Sequence, residues 1–280
     1  MTTDLTKPMS SIPGLEGVMP EDLTIPRLKI VQPVSVESTS DGIAFSSIVN
    51  SVTKEVIAKG TKTGAGIVVI PIMSNKSRLY FKPIKEGGGL LCRSNDNRTG
   101  VGEPGGDCAS CQFSEWANDK DGKGIAPACD ELLNVFCLVR GYDFPIPVTA
   151  SFARTSTPAG KKLVNLFYFA CQNAQKSPWN FAFNLETEIK SKDTNTWAQF
   201  KVSNLEDPKL AMATKEEAAL GEKFYRMIKD AATVQVHTDE TEMEEEADNI
   251  KNEAKASEDK RPNKEPEPED EPTDNDKPPF

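Results

Sequence analysis

Cys92, Cys108, Cys111 and Cys129 fall within one glycine-rich stretch, spaced C-x15-C-x2-C-x17-C. The Cys108-Ala109-Ser110-Cys111 pair reads as a tight knuckle. Two thiolates so placed can reach one ion from adjacent turn positions, and two more distant thiolates complete a tetrahedral set. Four thiolates fill the shell of Zn2+, so the expected ion is a single structural zinc rather than a catalytic one, which would keep a position open. The residues between the cysteines are turn formers, among them Asn95-Asp96-Asn97 and Pro104-Gly105-Gly106. A loop of roughly forty residues with no core of its own needs a staple inside a compact domain, and a metal supplies one. Cys137 and Cys171 lie in apolar runs and read as small buried hydrophobes. The single histidine, His237, is not needed for the set.

A second group of residues could contact nucleic acid. In Ser77–Lys82 the alternation places Leu79 and Phe81 on one face and Arg78, Tyr80 and Lys82 on the other. In Thr196–Ser203 the apolar set Ala198, Phe200 and Val202 leaves Trp197, Gln199 and Lys201 opposite. Aromatic planes for unpaired bases with cations for phosphates are what single-strand binding requires. Arg140 and Arg154, at hairpin ends, would extend the groove. Catalysis is not expected: there is no clustered His/Asp set, phosphate-cradling loop or nucleophile elbow.

The elements that would position these residues are mostly strands. Arg27–Val31 is a short strand candidate, Ala44–Ala58 a first hairpin or strand, and Gly66–Met73 an apolar strand followed, after a turn at Ser74-Asn75-Lys76, by Ser77–Lys82. The cysteine loop spans 84–130. Leu132–Arg140 and Pro145–Arg154 form a hairpin. A helix runs from Pro158 to Asn173 with Thr157 as N-cap, Trp179–Lys190 alternates as a strand, and Thr196–Ser203 is its partner. The last helix, Lys215–Asp230, starts with Thr214 and Glu217 in capping-box spacing. The expected fold class is mainly β (α+β): an OB-like Greek-key barrel with a four-cysteine zinc loop and a C-terminal helix. Residues 1–40 are expected to be an extended N-terminal segment and 41–232 the binding domain. Residues 233–280 are expected to be a disordered acidic tail.

Charge divides sharply along the chain. Residues 238–280 hold 17 Asp and Glu against 6 Lys and Arg, a net of −11, and residues 1–237 hold the other 26 acidic and 27 basic residues, a net of +1. The tail has six prolines and a single aromatic, Phe280, so it cannot bury enough apolar surface to offset its chain entropy. No apolar run approaches the length of a membrane span, and Met1 to Gly17 lacks the order of a secretory signal. A cytoplasmic location is expected, in the host cell if the protein is viral.

The end of the chain, Asp274-Asn275-Asp276-Lys277-Pro278-Pro279-Phe280, resembles the acidic tip of bacterial single-stranded DNA-binding proteins. Phage replication proteins of the same role also end in an acidic tail with a final aromatic. Lys277 and the second proline depart from the bacterial pattern. Ile25-Pro26-Arg27-Leu28-Lys29 and the cysteine-rich loop are similar to those of uncharacterised phage proteins. The resemblance implies a phage-type single-stranded DNA-binding protein of replication, recombination or repair. Asp274, Asp276, Pro279 and Phe280 would then dock partners such as a polymerase, helicase, primase or nuclease. A zinc-bearing adaptor or transcription modulator that binds only protein is the competing expectation.

Overall fold

The computed structural model describes residues 24–82, 88–118, 122, 124–142, 146–192, 195–230 and 235–236. In chain order these form β1 (Thr24–Ile25), β2 (Leu28–Ile30), a helical turn α1 (Val36–Thr39), β3 (Ile48–Asn50), β4 (Val56–Ala58) and the long β5 (Gly66–Phe81). An excursion follows, with β6 (Leu90–Ser94), β7 (Thr99–Gly102), β8 (Gly106–Asp107), a 3-10 turn at Gln112–Ser114, β9 (Ala117–Asn118) and β10 (Gly124–Ile125). The chain then returns through β11 (Cys129–Val139), β12 (Val148–Phe152), α2 (Thr157–Ala174), β13 (Phe183–Lys192), β14 (Asn195–Ser203), α3 (Lys215–Asp230) and β15 (Gln235–Val236). The fold is mainly β, with antiparallel main ladders.

Gly66–Met73 of β5 and Leu132–Val139 of β11 read as near-continuous apolar runs because both faces of their pairing are covered. On one side Ile67, Val69, Val135, Cys137, Phe152 and Phe183 pack with Leu163 and Phe167 of α2. On the other, Ile70, Ile72, Phe136 and Leu138 pack with Phe224 and Ile228 of α3. β11 lies along one edge of β5. The opposite edge is shared: β13 takes Gly66–Val69 and β6 takes Arg78–Phe81. The lateral order is therefore β12-β11-β5-β13-β14, with the cysteine excursion branching from the far end of β5.

The edges of this sheet, β12 and β14, are not joined by a ladder. Between them lies the chain of β2: Thr149 N–H donates to Pro26 O at 2.8 Å, and the Gln32 amide exchanges two hydrogen bonds with the backbone of Ala198. No closed barrel is formed by strand pairing among the described residues.

Several elements fall where alternation and capping place them. The hairpins β3–β4 and β11–β12 and the helix α3 are three. Thr214 Oγ1 accepts from Glu217 N–H while the Glu217 carboxylate accepts from Thr214 N–H, the reciprocal cap expected of that spacing. Others differ. Ser74-Asn75-Lys76 is no turn, because β5 continues through it as one strand of 16 residues. α2 begins one residue early, with Ser156 at the N-cap. The cysteine loop has strands of its own.

A cysteine-lined cavity and the strand faces around it

The far end of β5 gathers the four cysteines. Tyr80 registers with Cys92 on β6 and, across its other edge, with Cys129 on β11. Directly opposed residues share a face of the sheet, so both sulfurs flank the Tyr80 ring. The knuckle closes over them. The Asp107 carboxylate accepts from the Ala109 and Ser110 backbone N–H groups, and the Ser114 hydroxyl donates to the carbonyls of Cys108 and Cys111. Phe113 then stacks on Tyr80, 4.5 Å between centroids and 18° between planes. Gly100 is required by proximity, since a Cβ there would lie 2.9 Å from the Cys92 sulfur.

All four cysteines line one cavity of about 20 Å³, together with Arg78, Tyr80 and Phe113. That volume suits one ion or one water. Burial pushes the Cys129 thiol up; Arg78 opposes this, and the neighbouring Cys108 and Cys111 add to it. The donor set and the cavity suit a thiolate-bound ion. As they stand, no three His, Cys, Asp or Glu side chains among the described residues are gathered tightly enough to hold one. Cys137 is fully buried in the core, with its thiol pushed up to about 12 by burial. Cys171 is half-buried on α2.

The basic residues expected on strand faces are largely engaged. Arg78 donates to Asn97 Oδ1 at 2.6 Å and Glu131 Oε2 at 3.4 Å, and Lys76 holds the other oxygen of Glu131 at 2.8 Å. Burial raises the Glu131 carboxyl, but the bonds from Lys76 and Arg78 outweigh it and leave the group below its ordinary value. Arg140 binds the Glu217 carboxylate with two nitrogens and the carbonyls of Leu210 and Met212 with its remaining donors. Arg154 pairs with Asp130 at 2.7 Å and stays mostly exposed. Lys82 is half-buried at the end of β5.

Nor do these residues share one face. The bulge in β5 at Ile72, opposite Phe136/Cys137, shifts the alternation. Arg78 and Tyr80 thereby fall on the side of the α2 core. Trp197, Gln199 and Lys201 lie on the other side, in register with Lys190, Glu188 and Glu186. That second face balances acids against bases. Trp197 is half-buried, and its indole Nε1 is buried with no hydrogen-bond partner among the described residues. The tip residues Asp274, Asp276, Pro279 and Phe280 lie outside the described residues.

Two aromatics of the excursion were not singled out by alternation: Phe113, which caps Tyr80, and Trp116, 73 % exposed beside Gly124 of the β9–β10 pair. Neither lies in a periodic segment. The only signal in sequence was an aromatic placed among turn formers.

No helix among the described residues is long and apolar enough to cross a membrane. No curated protein and no solved structure matches the chain. The model of the Pam3 phage gp34-like protein family matches residues 2–235, and the chain belongs to that family.

Proposed function

We propose that this protein binds single-stranded DNA in phage replication or recombination, with an OB-like core, a structural zinc and an acidic C-terminal docking tip. The observation that carries the reading is the order of five strands. Taken along the chain, β5, β11, β12, β13 and β14 lie side by side in the order 3-2-1-4-5, with α2 inserted between the third and fourth. This connectivity supports a five-stranded, partly open Greek-key barrel. In such folds the face of strands two and three and the loops 1–2 and 4–5 take up oligonucleotides. Here loop 1–2 is the cysteine excursion. Loop 4–5 is the connection between β13 and β14, next in sequence to Lys190, Lys192 and Trp197.

In this reading Cys92, Cys108, Cys111 and Cys129 hold one Zn2+, which when bound supplies a cross-link among β6, the knuckle and β11. The chain's own groups do the rest: Asp107 and Ser114 shape the knuckle, and the Tyr80–Phe113 stack supports it. Phe280 provides an apolar anchor for partner proteins, and the acidic residues upstream steer it to cationic surfaces. No group in this arrangement is assigned a catalytic role.

Fluorescence anisotropy with labelled single-stranded and duplex oligonucleotides across a salt series tests the reading. Preference for single strands, weakening steeply with salt, is expected. Equal affinity for duplex, or no binding to either, overturns it in favour of a protein-only adaptor.

A further inference from the structure

The sequence from residue 144 to 185 contains no Asp or Glu, whereas it holds Arg154, Lys161, Lys162 and Lys176. Most of this acid-free stretch is α2 and its flanks. The helix buries Gly160, Leu163 and Phe167 and turns the opposite arc to solvent. That arc carries Lys161, Lys162, Asn165, Tyr168, Phe169 and Gln172, all exposed. Tyr168 is 54 % and Phe169 61 % exposed, in edge-to-face contact with centroids 5.6 Å apart. Helical geometry stacks Tyr168 two turns along from Lys161, and Phe169 two turns along from Lys162. Each aromatic thus shares its direction with a cation about 10 Å away.

Two large aromatics side by side on an exposed helix face, with cations and amides and no carboxylate, form an unusual apolar–cationic patch. The cations are not neutralised by the helix's own sequence. We propose that this face of α2 is a contact surface for single-stranded nucleic acid, with Tyr168 and Phe169 stacking on bases and Lys161 and Lys162 pairing with phosphates. The proposal rests on the single-strand reading above. It adds a surface on the helix to the strand faces and loops.

The test uses the full chain and a fluorescent oligo-dT, with two double variants, Lys161→Ala/Lys162→Ala and Tyr168→Ala/Phe169→Ala. The lysine pair should lower the slope of log affinity against log salt by about 1.4, since each phosphate contact on a single strand contributes about 0.7. The aromatic pair should weaken binding by about 5- to 150-fold for each base stacked, with the salt slope retained. Ultraviolet cross-linking of the unmodified protein should label Tyr168 or Phe169. It needs no variant to fold. If the unmodified protein binds and both variants match or exceed it without cross-links on α2, the proposal is overturned. The face then belongs to a protein or to the chain's own acidic residues 238–280. If the unmodified protein binds no single strand, the functional reading itself falls and this surface with it.

Discussion

Cys92 and Cys129 register on the same residue, Tyr80, from opposite edges of β5. The two outer cysteines of the motif are 37 positions apart in sequence, yet the sheet fixes them one strand either side of a single ring. The knuckle needs only to fold over that ring to bring Cys108 and Cys111 to the same cavity. Elemental analysis of protein purified without chelator should therefore find one zinc per chain. Changing any of the four cysteines to Ser should remove it and lower thermal stability. Cys137→Ser and Cys171→Ser should leave the metal content unchanged, though Cys137→Ser places a hydroxyl in the core. Metal-free protein would end the zinc assignment.

Tyr80→Ala and Trp197→Ala should separate. Tyr80 is half-buried beneath Phe113 and between two cysteines, so its loss should cost stability of the excursion, on the order of 1–3 kcal/mol. Trp197 is half-buried on the opposite side of the sheet, and its indole N–H has no hydrogen-bond partner among the described residues. Its loss should weaken single-strand binding by on the order of 1–3 kcal/mol, with a smaller effect on melting. Melting and anisotropy on both variants decide this. A Tyr80 variant that melts normally but binds poorly would return that ring to the groove.

The distinction between these two rings marks how far the sequence could be read. Period-2 alternation located β14 and its inward set Ala198, Phe200 and Val202, because each face of a strand reports its own environment. Capping chemistry located α3, because Thr214 and Glu217 satisfy one another locally. The misread turn in β5 has a physical cause. Asn75 and Ser77 are polar because they bond to Asn134 on the neighbouring strand, which in turn accepts from Ser151. Polar residues that answer a distant strand look like turn formers when seen alone. The bulge at Ile72, which moves Arg78 and Tyr80 to the other face, has one local mark, the neighbouring Pro71, since a proline inside a strand is confined to edges and bulges.

Arg140 illustrates the same non-locality and gives a stability prediction. It holds the first turn of α3 through Glu217, 77 residues away, and the segment before it through two carbonyls. Arg140→Ala should destabilise the fold by about 2–3 kcal/mol, the range for losing hydrogen bonds to a charged, part-buried partner. Burial raises the Glu217 carboxyl, but Arg140 and the Thr214 cap bring it below its ordinary 4.5. A lowered carboxyl pKa adds stability that is present above 4.5 and is lost as pH falls through the folded value. The stability gap between the Arg140→Ala and unmodified proteins should therefore narrow as pH falls below 4.5, leaving the part carried by the two carbonyls. Parallel curves to lower pH would contradict this account.

Gly160 in α2 sets two magnitudes against each other. Replacing a helical Gly with Ala ordinarily stabilises by about 1 kcal/mol. Here the added Cβ would sit 2.6 Å from the Phe152 ring, which is fully buried and cannot swing away. Overpacking of this kind costs about 1–3 kcal/mol, so Gly160→Ala should be net destabilising. A rise in melting temperature would show that the ring yields.

Cys137 supplies an alkaline counterpart. Burial moves its thiol from an ordinary 9.0 up to about 12. The folded protein then keeps a proton that the unfolded chain gives up, so stability is full below 9 and falls as pH rises toward 12. One proton corresponds to a slope of about 1.4 kcal/mol per pH unit across that window. Cys137→Ala leaves a small cavity but removes the titration. Its stability should thus decline less steeply between pH 9 and 11 than that of the unmodified protein. Equal slopes would mean that other groups govern alkaline unfolding.

Deleting residues 238–280 removes a net −11 and leaves a chain of +1. If this polyanion competes with phosphates for the same cationic surface, the truncated protein should bind single strands more tightly. The gain should be largest at low salt, where the charges are least screened, and should fade as the Debye length shrinks to about 8 Å near physiological ionic strength. Removing Phe280 alone leaves the charge almost intact. DNA affinity should then hardly move, while binding to any partner that takes the Phe280 ring as its anchor is lost. The two deletions therefore pull the competing and docking roles apart. Truncation without any gain in DNA affinity would remove the competition. A Phe280 deletion that keeps every partner contact would leave the acidic segment a solubilising charge and nothing more.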